Sequence, residues 1–298
     1  MARIRRLIVL CFLTLVSFGT VFAQDDVVTV DSSIVVLNAT ISDSRGHHVS
    51  GLTQSQFQIF EDGKPQEISF FAAEETPFAA VILLDSSGSM EERVTLARAA
   101  AIRFLEGLRT ADNAAIYAFD SKVLLVQPFS NTRDVSEKIF GIKANGMTVL
   151  NDAVYAAAGE LSKRPEKRRA IIVLSDGQDT LSKYSDDKAL KAALAANAVI
   201  YTIDMSAINT PPAQRIQSQA ALKKFAEKTG GTFVATPGGT AMREAFKDIA
   251  DELGLQYTIG YQPASIRKDG KWRELVLKVA KPGLTIRTRK GYNADKPN

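Results

Sequence analysis

The sequence predicts an α/β protein: a doubly wound, mainly parallel sheet, joined to a small β-sandwich-like unit built from the two ends of the chain. Two observations predict it. Between residues 78 and 254, short and nearly unbroken apolar runs alternate with amphipathic helical stretches, and strands so apolar are buried on both faces, as in a helix-covered parallel sheet. Outside those limits, residues 27–76 and 255–293 show the period-two alternation and Asp-Gly turns of antiparallel strands.

The chain opens with a basic start at Arg3, Arg5 and Arg6, an apolar run from Leu7, and small residues at Val21 and Ala23, the layout of a signal peptide cleaved after residue 23. An uncleaved anchor is the alternative, because the run lies near the short limit for spanning a bilayer. Cleavage takes three arginines from 37 basic residues and leaves 34 against 33 acidic ones. The mature protein is then close to neutral, which argues against nucleic acid as a partner, and nothing else in the chain is apolar enough to insert in a membrane. Cleavage also removes Cys11, the one cysteine. Stability must then come from the core or from a bound ligand, with no disulfide to help.

Residues 27–76 read as strands broken by turns at 44–52 and at Asp62-Gly63, with Pro77 closing the segment. In the α/β region, the strands expected are 79–85, 114–119, 169–176, 198–204 and 232–235, with 123–128 as a short or edge strand. In the first helix, Val94, Ala97, Ala101, Phe104, Leu105 and Leu108 fall on one stripe and four arginines lie outside it. The last segment, 255–293, holds three strand-like runs and a second Asp-Gly turn at 269–270. Trp272 reads as sandwich core or edge packing.

Ligands of a doubly wound sheet sit beyond the carboxyl ends of its strands. Three loops there carry oxygen donors: Asp85, Ser87 and Ser89 in DSSGSM, Thr148 in GMTVLNDAV, and Asp176 in LSDGQDT. Two carboxylates and three neutral hydroxyls suit a hard divalent cation, Mg²⁺ first, with Mn²⁺ or Ca²⁺ as alternatives. Gly88 is expected to let the first loop bend. Each piece also has a plain reading: a turn after a strand, a threonine capping a helix, an Asp-Gly turn. His47 and His48, the only histidines, are adjacent in a turn, where neighbouring side chains diverge, so a shared metal is not expected.

DSSGS followed by GMT and LSDG resembles the metal-ion-dependent adhesion site of von Willebrand factor type A domains, over residues 78–254. The flanks, GLTQSQFQIFEDGKPQEISFF before and WRELVLKV and TRKGY after, are similar to a bacterial exported subgroup of that family first noted in acidobacteria. The resemblance implies a Rossmann-like domain in which Ser87, Ser89 and Thr148 contact the ion through hydroxyls while Asp85 and Asp176 act directly or through water. It departs from the pattern at Met147, where a second glycine is common, which makes the loop stiffer or its rim more apolar. Met90, Met147 and Gln178 are expected to rim the site.

Three functions follow. The first is an exported binding module, periplasmic, cell-surface or secreted, whose ion recruits an Asp or Glu of a partner protein. The second is a metal-dependent phosphohydrolase with Asp85 as nucleophile, although Ser87 stands where a general acid is wanted and both histidines lie outside the α/β region. The third is a structural envelope protein in which the ion only stiffens the loops.

Overall fold

A computed structural model describes residues 34–73, 76–207, 209–235, 239–263 and 269–294. The expected export segment, residues 1–23, and the start of the first β segment lie outside the described residues. Among the described residues no helix is long and apolar enough to cross a membrane.

The described residues begin with four strands, β1 (Val35–Ser42), β2 (Phe57–Glu61), β3 (Lys64–Gln66) and β4 (Ile68–Ala72). The turn between β2 and β3 uses Asp62 at φ 47° and Gly63 at φ 77°, the left-handed pair that matches the twist of a two-residue hairpin. The α/β region follows: β5 (Phe78–Asp85), α1 (Val94–Glu106), β6 (Asn113–Phe119), β7 (Val123–Ser130), α2 (Leu150–Ser162), β8 (Arg168–Ser175), α3 (Asp186–Ala195), β9 (Ala198–Asp204), α4 (Pro212–Thr229), β10 (Phe233–Val234) and α5 (Gly239–Leu255). The chain ends with β11 (Tyr257–Tyr261), β12 (Trp272–Val279), β13 (Thr285–Arg287) and β14 (Gly291–Asn293).

Six strands form the central sheet in the order β10-β9-β8-β5-β6-β7, parallel except for the antiparallel edge β7. From β5 the chain steps outward to β6 and β7, then crosses back through α2 to β8 on the other side of β5. The direction of winding therefore reverses between β5 and β8, the point where doubly wound sheets as a class form a ligand crevice beyond the carboxyl ends of the strands. All eight residues of β5 are buried. Ala80, Ile82 and Leu84 join the core under α1 and α5, and Ala79, Val81 and Leu83 join the core under α2, α3 and α4. This two-sided burial is the physical reason why β5 reads as an unbroken apolar run. The α1 stripe from Val94 to Leu108 is buried as its periodicity predicts.

The flanking strands form two antiparallel sheets, β13-β1-β11-β4 and β14-β12-β2-β3. Alternate residues of four strands, among them Leu37, Ile59, Ile259 and Leu277, fill the space between them. Strands β4 and β11 are neighbours, with Ala72 opposite Thr258, so the α/β domain leaves and re-enters the sandwich at adjacent points. Trp272 is not sandwich core. It is 43% exposed on the outer face and lies over Gly291, where a Cβ would meet its ring at 2.4 Å.

Arg168, the first residue of β8, is fully buried at this junction. Its guanidinium donates to the carbonyls of Ala73 (2.9 Å) and Thr76 (3.4 Å) on the outgoing linker. On the returning one it donates to Leu253 (3.3 Å), Gly254 (3.0 Å) and Gln256, and its Nε donates to Thr258 Oγ1 (3.0 Å). Five donors in a planar fork let one side chain satisfy two linkers at once.

Candidate metal centre

Asp85 ends β5, and Asp176 follows the end of β8, at the two strands that border the crevice. Asp85 is fully buried and Asp176 is 5% exposed. Asp85 Oδ1 accepts from Ser87 N–H at 2.9 Å, and Oδ2 accepts from Ser175 Oγ at 2.5 Å. Burial pushes the Asp85 carboxyl up to about 6, against the hydroxyls that lower it, and the charge of nearby Asp176 pushes the same way. Asp176 Oδ1 accepts from Gln178 N–H at 3.0 Å.

After the extended Ser87, residues 88–90 form a 3-10 turn that brings Ser89 Oγ to 3.1 Å from Ser87 Oγ. The expected role of Gly88 does not hold: its φ is not left-handed, and a Cβ there would meet only Gly146 O at an ordinary 3.5 Å. The turn makes the bend, and Gly88 is tolerated in it. Met90 is not a rim residue either. It is fully buried in the core beneath α1, because the turn swings its apolar side chain inward. Met147 is exposed, and Gln178 is partly buried in the third loop.

Backbone bonds lace the loops together. Asn145 N–H donates to Ser86 O at 2.8 Å, and Gly88 N–H to Gly146 O at 3.2 Å, joining the first loop to the second. Thr148 N–H donates to Thr180 Oγ1 at 2.9 Å, and Thr148 O accepts from Thr180 and Leu181 N–H at 3.0 Å each, joining the second to the third. Thr148 is 4% exposed, and among the described residues its hydroxyl has no hydrogen-bond partner. It does not cap α2. That task falls to Asp179, whose Oδ2 accepts from Asn151 N–H at 2.8 Å while Oδ1 accepts from Ser182 N–H at 3.1 Å. Asp152 returns the contact, accepting from Lys183 and Tyr184 N–H at 2.9 and 3.0 Å.

Sequence reasoning places Asp152 at the start of its helix and Asp179 at the rim or in a solvated loop, but it misses that the two fasten the second and third loops together, and it misses Ser175 altogether. A serine at the end of the apolar run AIIVLS was the available signal, since a buried hydroxyl must find a partner. Gly177 holds the third loop against α4, with φ at 84° and a Cβ position 2.1 Å from Ser218 O. Gly177→Ala is expected to lower stability by about 1–3 kcal/mol through overpacking and strain, read as a shift in denaturation midpoint.

Among the described residues, no three His, Cys, Asp or Glu side chains group where they could hold a metal ion. Any cation here would depend on hydroxyls beside two carboxylates. His47 instead pairs with Asp43 at 3.4 Å, on the surface.

Residues 80–178 match the family model of the von Willebrand factor type A domain, a stretch that contains all five oxygen donors. Within the α/β unit, that stretch is similar to a von Willebrand factor type A domain. Solved structures similar to the chain include a von Willebrand factor type A protein from Catenulispora acidiphila, at 16% identity and a TM-score of 0.50, covering 90% of this chain and 75% of that one. The von Willebrand factor domain of the type V pili tip protein Mfa5 from Porphyromonas gingivalis matches at 13% identity and a TM-score of 0.50, covering 60% and 95%. The PilB minor pilin from Streptococcus sanguinis matches at 14% identity and a TM-score of 0.47, and the match covers 61% of this chain and 62% of the pilin. These likenesses concern the fold. No curated protein matches the sequence.

Proposed function

We propose that the chain is an exported binding module in which Asp85, Ser87, Ser89, Thr148 and Asp176 hold a divalent cation, Mg²⁺ before Mn²⁺ or Ca²⁺, for recruiting an Asp or Glu side chain of a partner protein. The observation that carries this reading is Asp85, a fully buried carboxylate at the switch point with its pKa pushed up to about 6 and Asp176 beside it. A buried carboxylate with a second one beside it calls for a cation. The unpartnered Thr148 hydroxyl and the adjacent Ser87 and Ser89 oxygens supply neutral donors of the hardness Mg²⁺ prefers.

When bound, the cation would offer an open position to an outside carboxylate. The protein's own residues do the rest. Because three of the five donors are neutral hydroxyls, the two carboxylates cancel the charge of the ion without exceeding it, and an open coordination position stays attractive to an incoming acid. Ser87 N–H and Ser175 Oγ fix the Asp85 carboxylate in one orientation, and the laced loops hold the other donors without further ordering. Each Asp85 oxygen keeps a further lone pair for a cation, and Ser87 stands where a phosphohydrolase with an aspartate nucleophile wants a general acid, which favours the ligand role. Export rests on the basic and apolar start of the sequence, and the near-neutral charge of the mature chain favours a protein partner over nucleic acid.

The test is retention of envelope proteins on immobilised wild type and Asp85→Ala, with Mg²⁺ and with chelator. A partner held by wild type in Mg²⁺ and released by both chelator and the substitution is the expected result. Identical retention under all four conditions would refute the mechanism.

A further inference from the structure

Around the five donors the surface is uneven. Met147 is 48% exposed and Leu181 is 50% exposed. Both adjoin Thr148, one as its chain neighbour and the other through the Leu181 N–H to Thr148 O bond of 3.0 Å. On the Ser89 side, the chain continues into Glu91 and Glu92, both exposed. Two large apolar side chains in water at the edge of a crevice mark a contact surface when their backbones are held still. These are. Met147 N–H donates to Ser121 Oγ at 3.0 Å, and Leu181 sits in the loop that Asp179 and Asp152 fasten to the start of α2.

We propose that Met147 and Leu181 form an apolar ledge that selects partners in which the recruited Asp or Glu stands next to a large aliphatic or aromatic residue. This rests on the cation-binding reading and names the kind of partner it serves. Glu91 and Glu92, exposed just after Ser89, disfavour a carboxylate beside them, so the partner's acid is favoured only over the cation. From that point the neighbouring residue meets either the apolar ledge or the acidic side. Covering exposed apolar surface on a preformed ledge is favourable, and it costs little ordering because the loops are already tied. A polar neighbour gains nothing there. The departure from glycine at Met147 thereby acquires a use.

The test is an array of short synthetic peptides, each with one central Asp or Glu flanked by Leu, Met or Phe, or by Ser or Gly. Binding is measured with Mg²⁺ and with chelator for wild type, the double variant Met147→Ser/Leu181→Ser, and Val276→Ser, an exposed control on the sandwich. Wild type and Val276→Ser are expected to bind apolar-flanked acids about tenfold more tightly than serine-flanked ones, in Mg²⁺ only. The double variant is expected to lose that preference and keep the weaker, Mg²⁺-dependent binding of serine-flanked acids. Equal binding of both peptide classes by wild type, or a preference that survives in the double variant, overturns the ledge and leaves the cation reading standing. Absence of any Mg²⁺-dependent binding overturns both.

Discussion

Asp85→Asn is expected to make the metal-free protein more stable at neutral pH while abolishing its response to divalent cations. The folded-state pKa of Asp85 is about 6, above the ordinary 3.8, because burial disfavours the charged form. Ionisation of this group therefore works against folding. The cost is fully present above pH 6, shrinks as the pH falls through 6, and is gone below about 4. A shift of this size corresponds to about 3 kcal/mol, of which the neutral amide recovers roughly 1–3 kcal/mol at pH 7.5. Thermal melts in chelator should show wild type gaining stability between pH 7.5 and 5, and Asp85→Asn showing no such gain from this site. Adding Mg²⁺ at pH 7.5 should raise the melting temperature of wild type alone, since Asp176 by itself leaves the variant with one carboxylate against a divalent charge. A variant that is less stable than wild type at pH 7.5 in chelator, or that still responds to Mg²⁺, would contradict this assignment.

The second large effect concerns the junction rather than the crevice. Arg168→Met keeps the length and apolar stem of the side chain but removes every donor from the carbonyls of Ala73, Thr76, Leu253, Gly254 and Gln256 and from Thr258 Oγ1. Buried acceptors without donors are costly, and the expected loss is about 3–5 kcal/mol, a large part of the stability of a protein this size. Arg168→Lys should fall in between, because an ammonium has three donors and no planar fork. Denaturant titration measures the loss, and limited proteolysis should find faster cleavage in both linkers. Mg²⁺ affinity in the folded fraction should change little, because Arg168 opens β8 while Asp176 lies past its other end. A stability within about 1 kcal/mol of wild type would show that the linkers do not need the clasp.

Much of this molecule is readable from residue order because the relevant signals are local. The eight buried residues of β5 and the α1 stripe obey periods set by backbone geometry, so they appear in sequence before any partner is known. The Asp62-Gly63 hairpin is equally local, since only certain residues accept its left-handed dihedrals. The loops that carry the five candidate oxygen donors were legible for a related reason: they are short motifs that follow apolar strands or precede a helix, and those boundaries are local signals.

Other features could not be read that way. Met90 looks like a loop residue one position after Ser89, yet a single 3-10 turn points it into the core. Arg168 resembles any arginine at the edge of a strand until two linkers, 95 residues before it and 85 after it in the chain, bring carbonyls around it. Asp179 caps a helix that begins 29 positions earlier in the chain, and Leu181 is tied to Thr148 only through a backbone bond across the loops. Periodicity and turn chemistry, which act over a few bonds, determined the strands, the helices and the candidate donors. Which side chains support those donors, and which surround them, was decided by tertiary packing, because buried hydrogen bonds are satisfied by whatever groups the fold brings near, whatever their distance along the chain.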